Sequence, residues 1–165
     1  MSLSDRRTVL ACMGASAIGL SGCLRPMLAR DGTAKALRHR IALPPIDDRF
    51  DYFLSKALAD RLGAPENPDY RLNVKTTMAT QGLAIAQDNS ITRVTLLVNA
   101  KWSLWRAGVG APVMTDSVDV QSGYSATTSL YATRQVRLDI ERRLAREIGE
   151  RISRKILAQS GQLGA

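Results

Sequence analysis

Residues 91–105, ITRVTLLVNAKWSLW, alternate between apolar and polar side chains along a long uninterrupted run. Successive side chains of a β-strand point to opposite faces, so this period of two predicts a strand that is buried on one face. The apolar face would carry Val94, Leu96, Val98, Ala100, Trp102 and Leu104. The other face would carry mainly Arg93, Thr95, Asn99, Lys101 and Ser103. Such a strand needs paired neighbours and a layer that covers its apolar face.

Two further segments provide those neighbours. Residues 70–74 and 113–121 alternate in the same way, and a polar, glycine-containing stretch at 76–90 would connect the first of them to the long strand. On the other side, the turn RAGVGA contains Gly108 and Gly110, which give a hairpin its backbone freedom. The three segments predict an antiparallel meander.

Two helices are predicted beside the meander. The first begins at the capping carboxylates of Asp47 and Asp48 and ends at Gly63 and Pro65. The second covers residues 129–158, and its apolar positions recur every four residues: Val136, Ile140, Leu144, Ile148, Ile152 and Ile156. Its outer face places acids one turn before bases, in the pairs Asp139 with Arg143, Glu147 with Arg151, and Glu150 with Arg154.

A short apolar segment at residues 41–43, closed by Pro44 and Pro45, predicts one more strand ahead of the first helix. The element order is then strand, helix, three strands and helix. This order predicts an α+β fold with two helices packed on one face of a small four-stranded mixed sheet, in a single domain at residues 41–160. The first strand–helix–strand unit is expected to cross over with a right hand.

The N-terminus has the features of an export signal. Arg6 and Arg7 precede an apolar stretch at residues 9–20, which has the length of a signal-peptide core and is shorter than the roughly 20 residues of a membrane span. The stretch ends in LSGC, the bacterial lipobox, so we interpret residues 1–22 as a cleaved leader and Cys23 as a lipid anchor carrying thioether-linked lipid and an N-acyl group. Export by the general or the twin-arginine route remains open.

The alternative for Cys23 is that it and Cys12 are ordinary small apolar residues of an N-terminal helix. If the leader is cleaved, Cys12 departs with it and Cys23 loses its thiol, so the mature chain has no cysteine for a disulfide or a metal. Three acyl chains would then hold the protein on a membrane. Leu24 follows Cys23 where enteric bacteria use aspartate as an inner-membrane retention signal, which favours the outer membrane.

Residues 23–40 are rich in arginine and predict a basic tether, either a solvated linker or a strip lying on anionic head groups. The whole chain has a net charge of +8. Export argues against a nucleic-acid partner for this charge, and phospholipid and lipopolysaccharide remain as anionic partners. The single histidine, His39, lies in the tether, so no histidine-based catalytic or metal site is expected. We therefore expect no enzyme activity and no cofactor.

Several of these motifs, in this order, resemble one known family. They are the lipobox followed by Arg25-Pro26, the strand at 70–74, Thr92-Arg93 opening a strand that ends in AKWSL, the triplet Gly123-Tyr124-Ser125, and the arginine-rich C-terminal helix. Together they resemble the LPS-assembly lipoprotein LptE family in its alphaproteobacterial form, over nearly the whole chain. The resemblance implies two helices on a four-stranded sheet.

It also implies partners. A member would plug the outer-membrane β-barrel that places lipopolysaccharide in the outer leaflet, with the domain inside the barrel lumen, would help that barrel assemble, and would bind lipopolysaccharide. Strand alternation puts Arg71, Lys75, Arg93 and Lys101 on the polar face, so these are the candidate contacts to the glycolipid; the alternative is that they are ordinary solvent-facing charges. Two other functions remain open: an auxiliary lipoprotein of a different envelope lipid-transport system, and an envelope adaptor without a lipid ligand.

Overall fold

The computed structural model describes residues 33–85, 91–125 and 129–163. The predicted leader and the anchor residue Cys23 therefore lie outside the described residues. The elements run in the order α1 (Thr33–Ala36), β1 (Ile41–Ala42), α2 (Arg49–Leu62), β2 (Tyr70–Ile85), β3 (Ile91–Arg106), β4 (Pro112–Ser125) and α3 (Leu130–Ala158), followed by a 3₁₀ turn, Ser160–Gln162.

The four strands form one sheet in the order β1-β2-β3-β4. β1 runs parallel to β2, with Ile41 opposite Tyr70, and the other two pairs are antiparallel. The predicted α+β fold, with two long helices on one face of a four-stranded mixed sheet, is confirmed. The predicted meander corresponds to β2, β3 and β4.

The core lies between this sheet and the two long helices. The alternation in β3 is confirmed, because the side chains that the sequence assigns to the apolar face are buried at Leu96, Val98, Ala100, Trp102 and Leu104. From α3 the core receives Ile140, Leu144, Ile148, Ile152 and Ile156. Both helices are capped by side chains: Asp48 accepts from the backbone N–H of Asp51, and Ser129 accepts from that of Ala132.

Two elements extend further than the apolar pattern indicates. β2 continues to Ile85 through the stretch expected to be a connection, and Thr76 and Met78 pair there with Ala100 and Val98 of β3. Its polar composition reflects exposure, whereas the strand itself is maintained by backbone hydrogen bonds to β3. At the same time Val136, predicted to be apolar and inward, is 43% exposed near the start of α3.

The segment just before β1 is folded. Ala34 and Leu37 are buried in the core, the backbone N–H of His39 donates to the carbonyl of Leu62 at 2.9 Å, and Arg40 forms an ion pair with Asp69. Residues 33–40 therefore belong to the domain rather than to a loose tether.

Candidate functional site

The face of the sheet opposite the helices is the candidate site, and we call the side chains that β2, β3 and β4 place on it the open face. Because strand side chains alternate, it is formed by residues between the buried ones. The antiparallel register arranges them in rows, of which three concern the site: Arg71 with Trp105, Asn73 with Ser103 and Thr115, and Lys75 with Lys101 and Ser117.

Two lysines meet at the centre of this face. Lys75 of β2 lies directly opposite Lys101 of β3, and both side chains are exposed. Directly opposed residues have Cβ atoms about 4.5–5.5 Å apart, and like charges in such a pair destabilise a sheet. Over the described part of the chain, neither ammonium forms an ion pair with a carboxylate. The pair therefore presents two adjacent positive charges to solvent.

Arg71 and Trp105 form a second part of the same face. Arg71 lies opposite Trp105, four residues along β2 from Lys75. The indole Nε1–H of Trp105 donates to the hydroxyl of Ser103 at 2.9 Å, and the side chain is half-buried. Trp105 was not among the residues predicted for the site. Its position in the sequence could have indicated it, because it follows Lys101 by four residues on the same strand and therefore lies on the same face.

Arg93 lies apart from the other three candidates. It is exposed near the start of β3, where it pairs with Ala84 and Ser125. Eight residues of strand separate it from Lys101, which corresponds to roughly 27 Å at about 3.4 Å per residue. The structure thus places Arg71, Lys75 and Lys101 within one half of the open face and Arg93 at the other end.

Two shallow depressions adjoin on this half of the sheet. One, of about 570 Å³, is lined by Asn73, Lys75, Lys101, Ser103, Thr115 and Ser117 among others. The second, of 390 Å³, is lined by Arg71 and Trp105 together with the β3–β4 turn. Both have polar and apolar walls, so a ligand with charged and apolar parts fits them better than a purely apolar one.

Three basic residues of α3, Arg137, Arg151 and Lys155, differ from the lysines of the open face because each forms an ion pair with an acid. Lys155 binds Asp116 at 2.5 Å and Arg151 binds Glu147 at 2.6 Å, as the sequence pattern predicts for the latter pair. The hydrogen bond from Lys155, with one from the backbone N–H of Ser117, holds the pKa of Asp116 below its usual value. The contact between Lys155 and Asp116 ties α3 to β4.

Two of the three predicted acid–base pairs on α3 have other partners. Glu150 forms its ion pair with Arg61 of α2 at 3.5 Å, and Arg143 donates to the hydroxyl of Ser122 on β4. The outer face of α3 is thus linked to α2 and β4 as well as along its own axis.

The described residues offer few groups for other chemistry. His39 is bound through Nδ1 to the carbonyl of Ala64 at 2.8 Å. Across residues 33–85, 91–125 and 129–163, no three side chains of His, Cys, Asp or Glu are grouped so as to hold a metal ion. In those same ranges, no helix has both the length and the apolar composition needed to cross a membrane.

Comparison with solved structures finds the same fold in several lipoproteins. A chain designated a lipoprotein from Caulobacter crescentus CB15 superposes with a TM-score of 0.63 at 22% identity, over 79% of this chain and 96% of that one. Rare lipoprotein B from Shewanella oneidensis superposes with a TM-score of 0.60 at 10% identity, over 76% of this chain and 98% of that one. A minor lipoprotein from Acinetobacter baumannii superposes with a TM-score of 0.58 at 16% identity, over 74% of this chain and 94% of that one. No family model and no curated protein sequence matches the chain. At these identities the likeness establishes the fold.

Proposed function

We propose that this chain is an LptE-like outer-membrane lipoprotein of the alphaproteobacterial type, anchored through Cys23. Its domain plugs the β-barrel that translocates lipopolysaccharide, assists the assembly of that barrel, and contacts the glycolipid during its insertion into the outer leaflet. The fold shared with three lipoproteins, rare lipoprotein B among them, supports an envelope lipoprotein. The lipobox and the basic charge of the chain agree with this function.

The observation that carries the ligand part of the proposal is the opposed pair Lys75 and Lys101. A sheet gains nothing from two adjacent ammonium groups, whereas phosphate groups of lipopolysaccharide would neutralise both. Arg71 lies on the same half of the face, roughly 14 Å along the strand from this pair, and would contact a different anionic group of the ligand. Arg93 would contact a separate part of the ligand or solvent.

The barrel partnership is tested by isolating the tagged full-length protein from membranes in mild detergent. We expect a large β-barrel subunit in a stoichiometric amount, because a polar, charged exterior suits a water-filled lumen. Recovery of an inner-membrane transporter or a substrate-binding subunit instead would identify an auxiliary lipoprotein of another lipid-transport system and overturn the proposal. A Cys23→Ala variant serves as the control for the anchor, since it should no longer fractionate with the outer membrane.

The lysine pair is tested by lipopolysaccharide binding to the double variant Lys75→Gln/Lys101→Gln at low and high salt. Loss of two adjacent cations should weaken binding several-fold at low salt and less at high salt, because screening acts on exposed charges. The matched control is Lys35→Gln/Lys56→Gln, which removes two exposed lysines from α1 and α2. Equal binding by both double variants would leave Lys75 and Lys101 as ordinary surface charges.

The assembly role is tested by depleting the protein in cells. The expected result is a parallel loss of correctly assembled barrel and of surface lipopolysaccharide. Unchanged amounts of both would contradict the assembly role and favour an adaptor without a lipid ligand.

A further inference from the structure

The two tryptophans of the chain occupy opposite faces of the same strand. Trp102 points into the core and is 3% exposed, whereas Trp105, three residues later, lies on the open face and is half-buried. The large apolar indole of Trp105 is therefore left in contact with solvent on the sheet face that carries the cations. Its indole Nε1–H is already bound to the hydroxyl of Ser103, so what the ring can still offer a ligand is its π system.

Polar side chains connect this ring to the lysines. Asn73 and Ser103 form the row between Trp105 and the Lys75–Lys101 pair. Rows two residues apart are separated by about 7 Å along a strand, so the lysines lie roughly 14 Å from the row of the indole. The order along the strands is an aromatic ring beside one cation, then an amide and a hydroxyl, then two cations.

This order matches the chemistry of a phosphorylated sugar. A pyranose ring presents a face of C–H bonds, which packs on an aromatic ring, and an edge of hydroxyl groups, which bind amides and hydroxyls. Because the lysines lie roughly 14 Å from the row of the indole, the phosphate that binds the two ammonium groups through charge-assisted hydrogen bonds would be carried by a neighbouring sugar of the same oligosaccharide. A simple phospholipid head group would use the lysines and leave the indole and the middle row without a partner.

We infer that Trp105 is a saccharide-stacking residue, and that the half of the open face from Trp105 to Lys101 is a binding site for a phosphorylated saccharide. The inference rests on the ligand contact in the proposed function and deepens it: the carbohydrate part of the ligand, and not only its phosphate, is bound by the sheet. The two adjoining depressions of 390 and 570 Å³ give the site its extent.

The test uses three probes with the intact lipoprotein in detergent. They are the phosphorylated oligosaccharide obtained by complete deacylation of lipopolysaccharide, the same oligosaccharide after removal of its phosphates, and inorganic phosphate. Trp105→Ala should weaken binding of the phosphorylated oligosaccharide by roughly three- to tenfold, whereas Trp105→Phe, which keeps an aromatic face, should restore most of it. The affinity for inorganic phosphate should be the same in all three proteins.

Fluorescence provides a readout that a merely structural role would not change. Trp102 is shielded in the core, so acrylamide quenching reports mainly on Trp105. Saturation with either oligosaccharide should protect Trp105 from the quencher, and inorganic phosphate should not. Unchanged affinity in Trp105→Ala, or unchanged quenching on saturation of the wild type, would overturn the inference.

The outcome is separate from that of the proposed function. The oligosaccharide titration needs no barrel, so failure to recover a barrel subunit would remove the barrel partnership and leave the saccharide site to be decided by the Trp105 variants. Conversely, binding that depends on Lys75 and Lys101 but not on Trp105 would leave the lysine pair as a phosphate site and overturn the stacking role.

Discussion

Gly149 of α3 lies against Ala57 of α2 with no room for a side chain. A Cβ built on Gly149 would lie 2.8 Å from the Cβ of Ala57, and 3.4 Å from both the carbonyl oxygen of Leu54 and the amide nitrogen of Leu58. The backbones of the two helices are thus in direct contact at this crossing. The position of α2 on α3 depends on the absence of a single carbon atom.

Gly149→Ala should therefore destabilise the protein by about 1–2 kcal/mol, measured by urea unfolding. Overpacking lowers the free energy of unfolding by about 1–3 kcal/mol, and the higher helix propensity of alanine offsets at most about 1 kcal/mol of this loss. Gly161→Ala is the matched control, because nothing lies within 4 Å of its Cβ position. The double variant Gly149→Ala/Ala57→Gly should show a favourable coupling energy, since it moves the methyl group from one helix to the other. A neutral Gly149→Ala would show that the helices separate at no cost.

A second contact joins His39 to Gly63, which ends α2. Gly63 has φ +82°, and a Cβ there would lie 2.7–2.9 Å from ring atoms of His39. Gly63→Ala should cost about 1–3 kcal/mol for the backbone conformation, plus about 0.5–1.5 kcal/mol because the half-exposed ring must turn away and lose its bond to Ala64. Gly108→Ala, with φ +77° and open space around it, isolates the backbone part. Equal losses in the two variants would mean that the histidine contact contributes nothing.

Leu37 tests whether the segment before β1 is part of the domain. Its side chain is fully buried, so Leu37→Ala should lower the free energy of unfolding by about 2–5 kcal/mol. Lys35→Ala, an exposed change in α1 two residues earlier, should leave the free energy of unfolding within about 0.5 kcal/mol of wild type. Thermal unfolding of the two variants side by side measures the difference, and similar melting temperatures would indicate a tether.

The Asp116–Lys155 contact makes stability depend on pH. Its hydrogen bond lowers the pKa of Asp116 in the folded state, so the ionised carboxylate stabilises the fold above its unfolded pKa of about 3.9. That contribution disappears as the pH falls through the lower folded pKa. Asp116→Asn should accordingly be less stable than wild type near pH 6, by the small amount typical of exposed pairs, and the difference in the free energy of unfolding should disappear once the pH lies below the lowered pKa of the folded state. Urea unfolding between pH 2 and 7 measures it.

Asp60→Asn, a change at an exposed aspartate of α2, is the control for loss of one negative charge. If the difference in the free energy of unfolding between wild type and Asp116→Asn stays constant down to pH 2, the ionised pair is excluded as its cause.

Much of the fold could be predicted because the apolar pattern reports burial directly. The period of two in β3 and the four-residue steps of α3 identified the residues that fill the core, and Asp48 and Gly63 marked the ends of α2. The far half of β2 was missed because polar and small residues interrupt its few large apolar ones, so that no regular alternation marks it as a strand. Strand pairing there is made by backbone hydrogen bonds, which do not depend on the side chains and so cannot be predicted from the pattern of residues.

The candidate site was predictable only in part. The alternation of side chains along each strand put Lys75 and Lys101 on the polar face, but alternation does not indicate which residues of two different strands lie opposite each other. That depends on the register of β2 on β3, which the hairpin and the packed core set together. The same register separates Arg93 from the other cations and brings Arg71 beside Trp105.

The sequence by itself determined most of the buried positions of β3 and α3, where the long helices begin and end, and that Cys23 has the setting of a lipid anchor, because each is encoded in a local pattern. The tertiary structure alone decided that Lys75 faces Lys101, that Gly149 touches α2, and that residues 33–40 join the domain. These are contacts between segments distant in the chain, and they follow from packing the two helices and the sheet around one core.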